Sequence, residues 1–207
     1  MKKYLYILII LSLIFGCGED PTRLEENYRR TMIDNLNAIK PLKVDYQWQY
    51  KVSYFNENGE KINEANEIYV ILRDTIINNH RWYSSEIEGV DLQTNRIDGL
   101  HYRKYIDNIN FIEWVEVKYP KKDNYTWLCH NSYRSLIKSD TTITVNSHEY
   151  SCHFYKDIIF DSENDVWIES KIFYSVGTGM VKAETYRRKD GGSPYLAGIS
   201  ELMKVKF

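Results

Sequence analysis

The sequence predicts an all-β protein, mainly antiparallel, with one N-terminal helix before the strands. Apolar and polar residues alternate without error from Val44 to Tyr54, turn pairs such as Asn58-Gly59 and Asp98-Gly99 recur, and no stretch after residue 40 keeps a helical period. Parallel strands need long crossovers, so closely spaced strands indicate antiparallel pairing. A single curved sheet, a half-barrel and a sandwich of hairpins all fit these observations.

Length and composition predict one domain and exclude several classes of protein. The chain has 207 residues, of which 43% are hydrophobic, and that is enough for one full-sized core. Its 27 basic residues nearly balance 29 acidic ones, which argues against non-specific nucleic-acid binding and a polybasic membrane patch. The 18 Tyr, 7 Phe and 5 Trp exclude a disordered chain.

The first sixteen residues have the pattern of an export signal. Lys2 and Lys3 precede an apolar run from Tyr4 to Phe15. A helix of this length reaches roughly 18 Å, whereas the hydrocarbon core of a bilayer is about 30 Å thick. We therefore assign residues 1–16 as a signal peptide.

The end of this signal resembles the lipobox of bacterial lipoproteins, through Ile14 and Gly16-Cys17. The resemblance implies cleavage before Cys17 and its lipidation with palmitate-type chains, which would anchor the protein stably. Phe15 departs from the pattern and leaves a plain secretory signal as the alternative. The acidic residues after Gly18 are similar to the surface-export signal of Bacteroidota lipoproteins, which implies an outer-membrane lipid anchor with the body facing the periplasm or the cell surface.

Residues 17–40 are predicted to form an acidic tether and a short amphipathic helix. Pro41 ends the helical pattern, because the residue before a proline avoids helical torsions. The apolar stripe is narrow, so the helix either docks on the domain or spaces it from the membrane. The stripe consists of Leu24, Tyr28, Met32, Leu36 and Ile39.

The alternating strand from Val44 to Tyr54 is the strongest strand signal in the chain. Asn58-Gly59 suits a tight turn, and Ile62 to Ile77 reads as the return strand. The aromatic face of this hairpin is either core, since a sheet must bury one face, or the lining of a ligand site. The candidate ligand-facing residues are Tyr46, Trp48, Tyr50 and Tyr54.

Two short segments with similar patterns, Ile77–Trp82 and Val145–Tyr150, are predicted to be hairpin tips. Asparagine tolerates the left-handed conformation that two-residue hairpin loops require. Further turns fall at 98–99, 120–124, 161–165 and 177–179. No linker interrupts the chain, so residues 41–207 are predicted to form a single antiparallel β domain.

Cys129 and Cys152 are an even pair in an exported chain, which predicts a disulfide. Such a bond would contribute about 3 kcal/mol. Unpaired thiols are the first alternative. A Cys2His2 metal site with His130 and His153 is disfavoured, because neighbouring residues on a strand point to opposite faces.

Several phrases in the body resemble small uncharacterised lipoproteins of Bacteroidota. They are Tyr46–Tyr50, Asp98–Leu100, Tyr119-Pro120, Thr142–Val145 leading to Cys152, and Tyr174–Val181. This resemblance implies a curved antiparallel sheet, such as the half-barrel of periplasmic lipid carriers. It implies no activity.

The sequence contains no pattern that predicts catalysis, a cofactor or a metal. Ser193 lacks the flanking residues of a nucleophile elbow. The acidic run from Asp161 to Asp165 lacks the glycine and the glutamate of a calcium loop. The five histidines lie far apart. Asp190 follows a short basic cluster at 187–189 that is typical of a strand end.

We therefore expect a membrane-anchored, non-enzymatic binding or structural β module, attached through its N-terminal lipid. The alternative is a carrier of a lipid or other hydrophobic ligand in a β half-barrel. The expected partners are the membrane and either a hydrophobic ligand or an envelope protein, without nucleic acid.

Overall fold

A computed structural model describes residues 38–85, 91–106, 110–161, 166–189 and 192–207. The signal peptide, Cys17 and the helical stripe as far as Leu36 lie outside these ranges, so their predictions stand untested. Residues 39 and 40, at the end of the predicted helix, form a bend. Within the described ranges, no helix has the length and hydropathy that a membrane span requires.

The described ranges form strands and no helix, which confirms the all-β prediction. All pairings between strands are antiparallel. The strands are β1 (Gln47–Phe55), β2 (Lys61–Val70), β3 (Arg73–Ile77), β4 (His80–Ser84), β5 (Asp91–Arg96), β6 (Gly99–Tyr105), β7 (Phe111–Lys118), β8 (Tyr125–Cys129), β9 (Ser132–Val145), β10 (His148–Asp161), β11 (Val166–Ser175), β12 (Gly179–Lys189) and β13 (Tyr195–Lys206).

These strands form two sheets that do not close into a barrel. The large sheet has the order β2-β1-β13-β12-β11-β10-β9-β8, and the small sheet has the order β3-β4-β5-β6-β7. The two sheets pack against each other: Trp48 and Tyr155 of the large sheet share one core with Tyr83, Leu100 and Val117 of the small sheet. The arrangement is two packed sheets and differs from a single curved sheet.

The predicted return strand from Ile62 to Ile77 is in fact two strands in different sheets. The chain leaves the large sheet after Val70 and joins the small one at Arg73. Ile71 is fully buried at this crossing and exchanges backbone hydrogen bonds with residues 45 and 46, whereas the Leu72 amide donates to Ser84 in the small sheet. The segment from β2 to β3 therefore contributes one strand to each of the two sheets.

The predicted hairpin tips are confirmed. Asn78 and Asn79 have φ of 51° and 62°, and Asn146 and Ser147 have φ of 50° and 65°, as two-residue loops with a matching twist require. Gly99 has φ of 137°, and a Cβ there would overlap the carbonyl oxygen of Val117. Glycine is therefore needed at this turn for close approach as well as for its torsion.

The N-terminal segment of the described body is built into the core at one end of the strands. Ile39 and Leu42 are each 1% exposed, and the Gly177 amide donates a hydrogen bond to the carbonyl of Ala38 (2.9 Å). The last residue, Phe207, packs its ring 5.0 Å from that of Tyr46. Both the entering segment and the C-terminus therefore lie at the same end of the large sheet, which we call the tether end.

The predicted disulfide between Cys129 and Cys152 is wrong, because both thiols are free and buried. Cys129 lies opposite Ser132 on β9, and Cys152 lies opposite Thr141 on the same strand. Nine residues of extended chain span roughly 30 Å, whereas a disulfide requires Cα atoms within about 7 Å. The two cysteines therefore lie towards opposite ends of β9, and their histidine neighbours are likewise separated.

Candidate functional site

One face of the large sheet carries two different sets of side chains along the same six strands. The first set, here called the apolar set, belongs to the shared core. It consists of Trp48, Leu202, Val181, Tyr174, Tyr155 and Leu136. The second set, here called the polar row, lies further along the strands and joins neighbouring residues in register. It consists of Tyr54, Gly198, Thr185, Ser170, Asp157 and Arg134.

A cleft of about 700 Å³ lies at one end of the polar row, and we call it the strand-end cleft. Its lining includes the ring-bearing residues Tyr54 and Tyr195, the hydroxyl of Thr185 and the charged residues Glu67 and Arg187. The turn at 55–58 forms part of its wall. The cleft is open to solvent at its rim, where Tyr54 is 38% exposed. Its lining mixes rings with hydrogen-bonding groups, which suits a polar ligand that has apolar faces.

The opposite end of the polar row holds a buried charge cluster. Arg134 donates to a carboxylate oxygen and the backbone carbonyl of Glu116, and to Oδ2 of Asp157 (2.9 Å). Arg134 and Asp157 are 5% and 7% exposed. Burial by itself would raise the pKa of Glu116, but the guanidinium of Arg134 holds that pKa below its ordinary value. Two carboxylates therefore share one guanidinium.

Two polar atoms of this cluster have no hydrogen-bond partner within the described residues. They are Oδ1 of Asp157, an acceptor, and Nε of Arg134, a donor. Both residues line a pocket of about 230 Å³ together with Trp114 and His130, whose rings lie 4.8 Å apart. Native buried polar groups are nearly always hydrogen-bonded, so an unpaired donor and acceptor in one pocket indicate a place for a further polar group.

Cys129 lies beside this cluster but is poorly suited to nucleophilic chemistry. Burial, followed by the nearby Glu116 carboxylate, raises the pKa of the thiol to about 12. The thiol therefore stays protonated at neutral pH, and the thiolate is the reactive form. No group of three or more metal-ligating side chains occurs among the residues that the structure describes.

The sequence-predicted aromatics separate into two groups in the structure. The indole of Trp48 is fully buried and donates a hydrogen bond to the backbone carbonyl of Thr178 (2.6 Å). The hydroxyl of Tyr50 donates a hydrogen bond to the backbone carbonyl of Met180 (3.1 Å). The polar groups of both side chains are therefore hydrogen-bonded within the core. Tyr46 packs on the ring of Phe207. Tyr54 alone of the four candidates lines the strand-end cleft.

Lys40 is buried beside the apolar set, at the tether end of the core. Its ammonium lies 4.6 Å from the ring centroid of Trp48 and 4.0 Å from that of Tyr69, and it donates to Oε1 of Gln93 (3.0 Å). Burial lowers the pKa of this lysine to about 7, although Glu116 opposes the shift. No sequence pattern indicated this role, since a lysine at the end of a helical pattern is ordinarily solvated.

No protein-family model matches this chain, and no curated protein matches it. Two solved structures are similar in shape at low identity. One is a protein of Bacteroides fragilis, provisionally described as exported and as having a YmcC-like fold, with 11% identity and a TM-score of 0.48; the match covers 83% of this chain and 100% of that one. The other is provisionally described as a lipoprotein of Parabacteroides distasonis, with 14% identity and a TM-score of 0.49, covering 82% and 99%.

Proposed function

We propose that this protein is a non-enzymatic binding module of the cell envelope, tethered to the outer membrane through lipidated Cys17, with the strand-end cleft as its binding site. The position of the cleft carries the proposal. The chain enters the body at the tether end, and β1 then runs nine residues from Gln47 to Phe55, or roughly 30 Å, to the cleft. A lipid anchor at the N-terminus would therefore leave the cleft on the side away from the bilayer.

The chemistry of the cleft supports a binding module more than a lipid carrier. A carrier buries acyl chains in a cavity lined mainly by apolar side chains. The strand-end cleft instead includes Glu67 and Arg187, and charged groups lose hydration when an acyl chain covers them. A ligand that offers hydrogen bonds would keep these groups satisfied.

The charge cluster supports binding without catalysis. A general acid at neutral pH needs a raised pKa, whereas Arg134 lowers the pKa of Glu116. The nearby thiol of Cys129 is held protonated. We therefore include no chemical step in the proposed function.

The anchor is tested by Cys17→Ser. We expect the substituted protein to leave the membrane fraction, because several acyl chains give stable attachment and none remains. A Ser12→Ala variant in the signal is the matched control and should remain with membranes. Retention of Cys17→Ser in the membrane fraction would contradict the lipid anchor.

The orientation is tested with two labelled variants of the full protein in lipid vesicles. Asn58→Cys places a fluorophore beside the cleft, and Glu149→Cys places one near the tether end, where Asn146 contacts the carbonyl of Leu202. A quencher carried on lipid headgroups should quench the label at position 149 more strongly. Equal quenching, or stronger quenching at position 58, would overturn the proposed orientation.

A further inference from the structure

We propose that the tether end rests directly on the phospholipid bilayer that holds the lipid anchor, through exposed apolar side chains on three separate segments of the chain. They belong to Leu72, Val176 and Phe207. This inference rests on the proposed function, because it takes the acyl chains on Cys17 as the anchor. It adds a surface of the folded body that contacts lipid, which the anchor alone does not require.

The anchor alone does not fix the height of the body above the membrane. Residues 18–37 lie between Cys17 and the first described residue, Ala38. These 20 residues reach at most roughly 70 Å when fully extended, so the tether is long enough to hold the body well clear of the lipid. A contact between body and bilayer therefore needs a surface of its own.

The turn between β11 and β12 places Val176 beside the point where the chain enters the body. Gly177, the next residue in this turn, donates an amide hydrogen bond to the carbonyl of Ala38 (2.9 Å). The side chain of Val176 is 40% exposed. An apolar side chain at a turn beside the entering segment is well placed to meet the membrane that holds this segment.

Leu72 and Phe207 lie at the same end, beside the start of β1. The amide of Ile71 donates a hydrogen bond to the carbonyl of Tyr46 (2.9 Å), and Leu72 is the next residue. The ring of Phe207 lies 5.0 Å from that of Tyr46. Leu72 is 46% exposed and Phe207 is 55% exposed. The crossing between the sheets, the C-terminus and the turn at Val176 therefore all present apolar side chains at the tether end.

The cleft end of the large sheet has the reverse composition. The connections between strands at that end include residues 56–60, 162–165 and 190–194. The sequences of these three connections contain no lysine, no arginine and no large apolar residue. They contain the acidic residues Glu57, Glu60, Glu163, Asp165 and Asp190. Anionic lipid headgroups repel acidic segments, so the composition of the two ends favours contact through the tether end.

The contact is apolar in origin, because the exposed charges at the tether end nearly cancel. These charges belong to Lys43, Arg73, Lys204 and Lys206, and to Asp45, Glu149 and the C-terminal carboxylate. Removal of apolar side chains from water therefore supplies most of the attraction. The anchor makes this contact intramolecular, so a small apolar area is sufficient. Screening by salt should leave such a contact intact.

A second copy of the chain fits the tether end less well than a bilayer does. A stable interface between proteins buries about 800 Å² on each partner in a continuous, well-packed patch. The tether end offers three half-exposed side chains on separate segments. A fluid interface between lipid and water accommodates separate apolar side chains without matching their shape.

The test uses the full lipoprotein in vesicles of phosphatidylethanolamine and phosphatidylglycerol, with the fluorophore at Glu149→Cys and a quencher on lipid headgroups. The tether-end variant also carries Leu72→Ser, Val176→Ser and Phe207→Ser. We expect its quenching to be at least threefold weaker, because the body is no longer held against the lipid. The variant should remain in the membrane fraction, since the acyl chains are retained. Without these three substitutions, quenching should persist at about 1 M salt, where the Debye length is about 3 Å.

The control variant carries Ile62→Ser, Leu128→Ser and Ile158→Ser in place of the tether-end substitutions. These residues are 64%, 62% and 38% exposed, and strand register places them in the half of the large sheet nearer the cleft. The control should be quenched as strongly as the protein without either set. Circular dichroism verifies that both variants are folded. If Phe207→Ser prevents folding, Leu72→Ser with Val176→Ser replaces the triple variant, with an expected twofold loss.

Four outcomes would overturn the contact. The tether-end variant is quenched normally, the control variant loses as much quenching, high salt abolishes the quenching, or lipid does not quench the label at position 149. In the last case, energy transfer between labelled copies would assign the tether end to a second copy, and its absence would mean that the tether holds the body off the lipid.

Failure of the proposed function has a different signature. If Cys17→Ser remains with membranes, the lipid anchor is rejected and the proposed function with it. If Cys17→Ser leaves the membranes and the label at position 149 is quenched more strongly than the label at position 58, the anchor and the orientation stand. Normal quenching of the tether-end variant in that case rejects only the contact between the body and the bilayer.

Discussion

The apolar set and the polar row occupy the same face of the same six strands, yet they differ in how completely their polar atoms are hydrogen-bonded. In the apolar set, polar atoms such as the indole nitrogen of Trp48 are bonded to backbone carbonyls, and the small sheet covers the side chains. In the polar row, Asp157 and Arg134 each keep an unpaired atom. The difference is therefore that the indole of Trp48 is satisfied within the protein, whereas Asp157 and Arg134 each keep one buried atom without a partner among the described residues.

The largest expected difference in the free energy of unfolding is between substitutions of two aromatic residues on β1. Trp48→Ala should lower the free energy of unfolding by about 3 to 5 kcal/mol, because it leaves a large cavity in the core. Tyr54→Ala, on the same face but 38% exposed, should cost less than about 1 kcal/mol. Urea unfolding of both variants measures the difference. Equal losses would show that the two halves contribute alike to stability.

The next effect concerns the charge cluster. Arg134→Met should lower the free energy of unfolding by about 3 kcal/mol at pH 7, because Glu116 and Asp157 would stay buried without their shared partner. The loss should shrink towards pH 4, where protonation relieves the buried carboxylates.

Arg81→Met is the control for this prediction. Arg81 pairs with Asp74 at 2.9 Å, but both side chains are about one-third exposed, so its loss should cost less than about 1 kcal/mol. A pH-independent loss in Arg134→Met would instead indicate poor packing of the new side chain.

A third effect is the pH dependence that Lys40 contributes. Its pKa is about 7 in the folded protein and about 10.5 in the unfolded chain. Between these values the unfolded chain binds more protons, so this group makes the protein more stable as pH rises. Relative to Lys40→Met, the wild-type protein should gain roughly 2 kcal/mol between pH 7 and 8.5.

Guanidinium unfolding of the two proteins at several pH values measures this gain, and the difference between them removes the contributions of the buried thiols. A wild-type stability that falls relative to Lys40→Met over this range would contradict a buried, neutralised lysine. Below about pH 6 the difference between the two proteins should be constant, because Lys40 is then almost fully charged in both the folded and the unfolded state.

The smallest expected effect belongs to the middle of the polar row. Ser170→Ala with Thr185→Val should change the free energy of unfolding by less than about 1 kcal/mol, since their mutual contact is long and both are only partly buried. Thermal unfolding measures the change. A loss as large as that of Trp48→Ala would mean that the row is part of the core.

The sequence predicted those strands and turns whose conformation is determined by residues close together in the chain. The strand predicted from Val44 to Tyr54 was confirmed from Gln47 onwards, whereas Val44 and Asp45 form a turn in which Asp45 has φ of 72°. The asparagine-rich hairpin tips were also confirmed. The division of β2 from β3 was missed, because Ile71-Leu72 is an apolar pair without a turn residue. The disulfide was wrongly predicted because sequence spacing does not show that nine residues of β9 separate the cysteines.

The polar row was also beyond sequence analysis. Its members come from six strands, and only the register brings Thr185, Ser170 and Asp157 together. Trp48 and Tyr54 belong to the same alternating pattern. That pattern does not show how far along β1 the small sheet covers the face, and hence which of the two residues is buried. The distinction between core and cleft therefore arises from packing between sheets, which a single-strand period does not contain.

The tether end gathers both the entering segment and the C-terminus, which has a practical consequence for display. A reporter fused after Phe207 would lie beside the entering segment, whereas an epitope inserted at Asn58-Gly59 would lie at the opposite end of β1. The turn is exposed and a Cβ at Gly59 would touch nothing within 4 Å. This turn therefore accepts an inserted peptide more readily than the buried strands do.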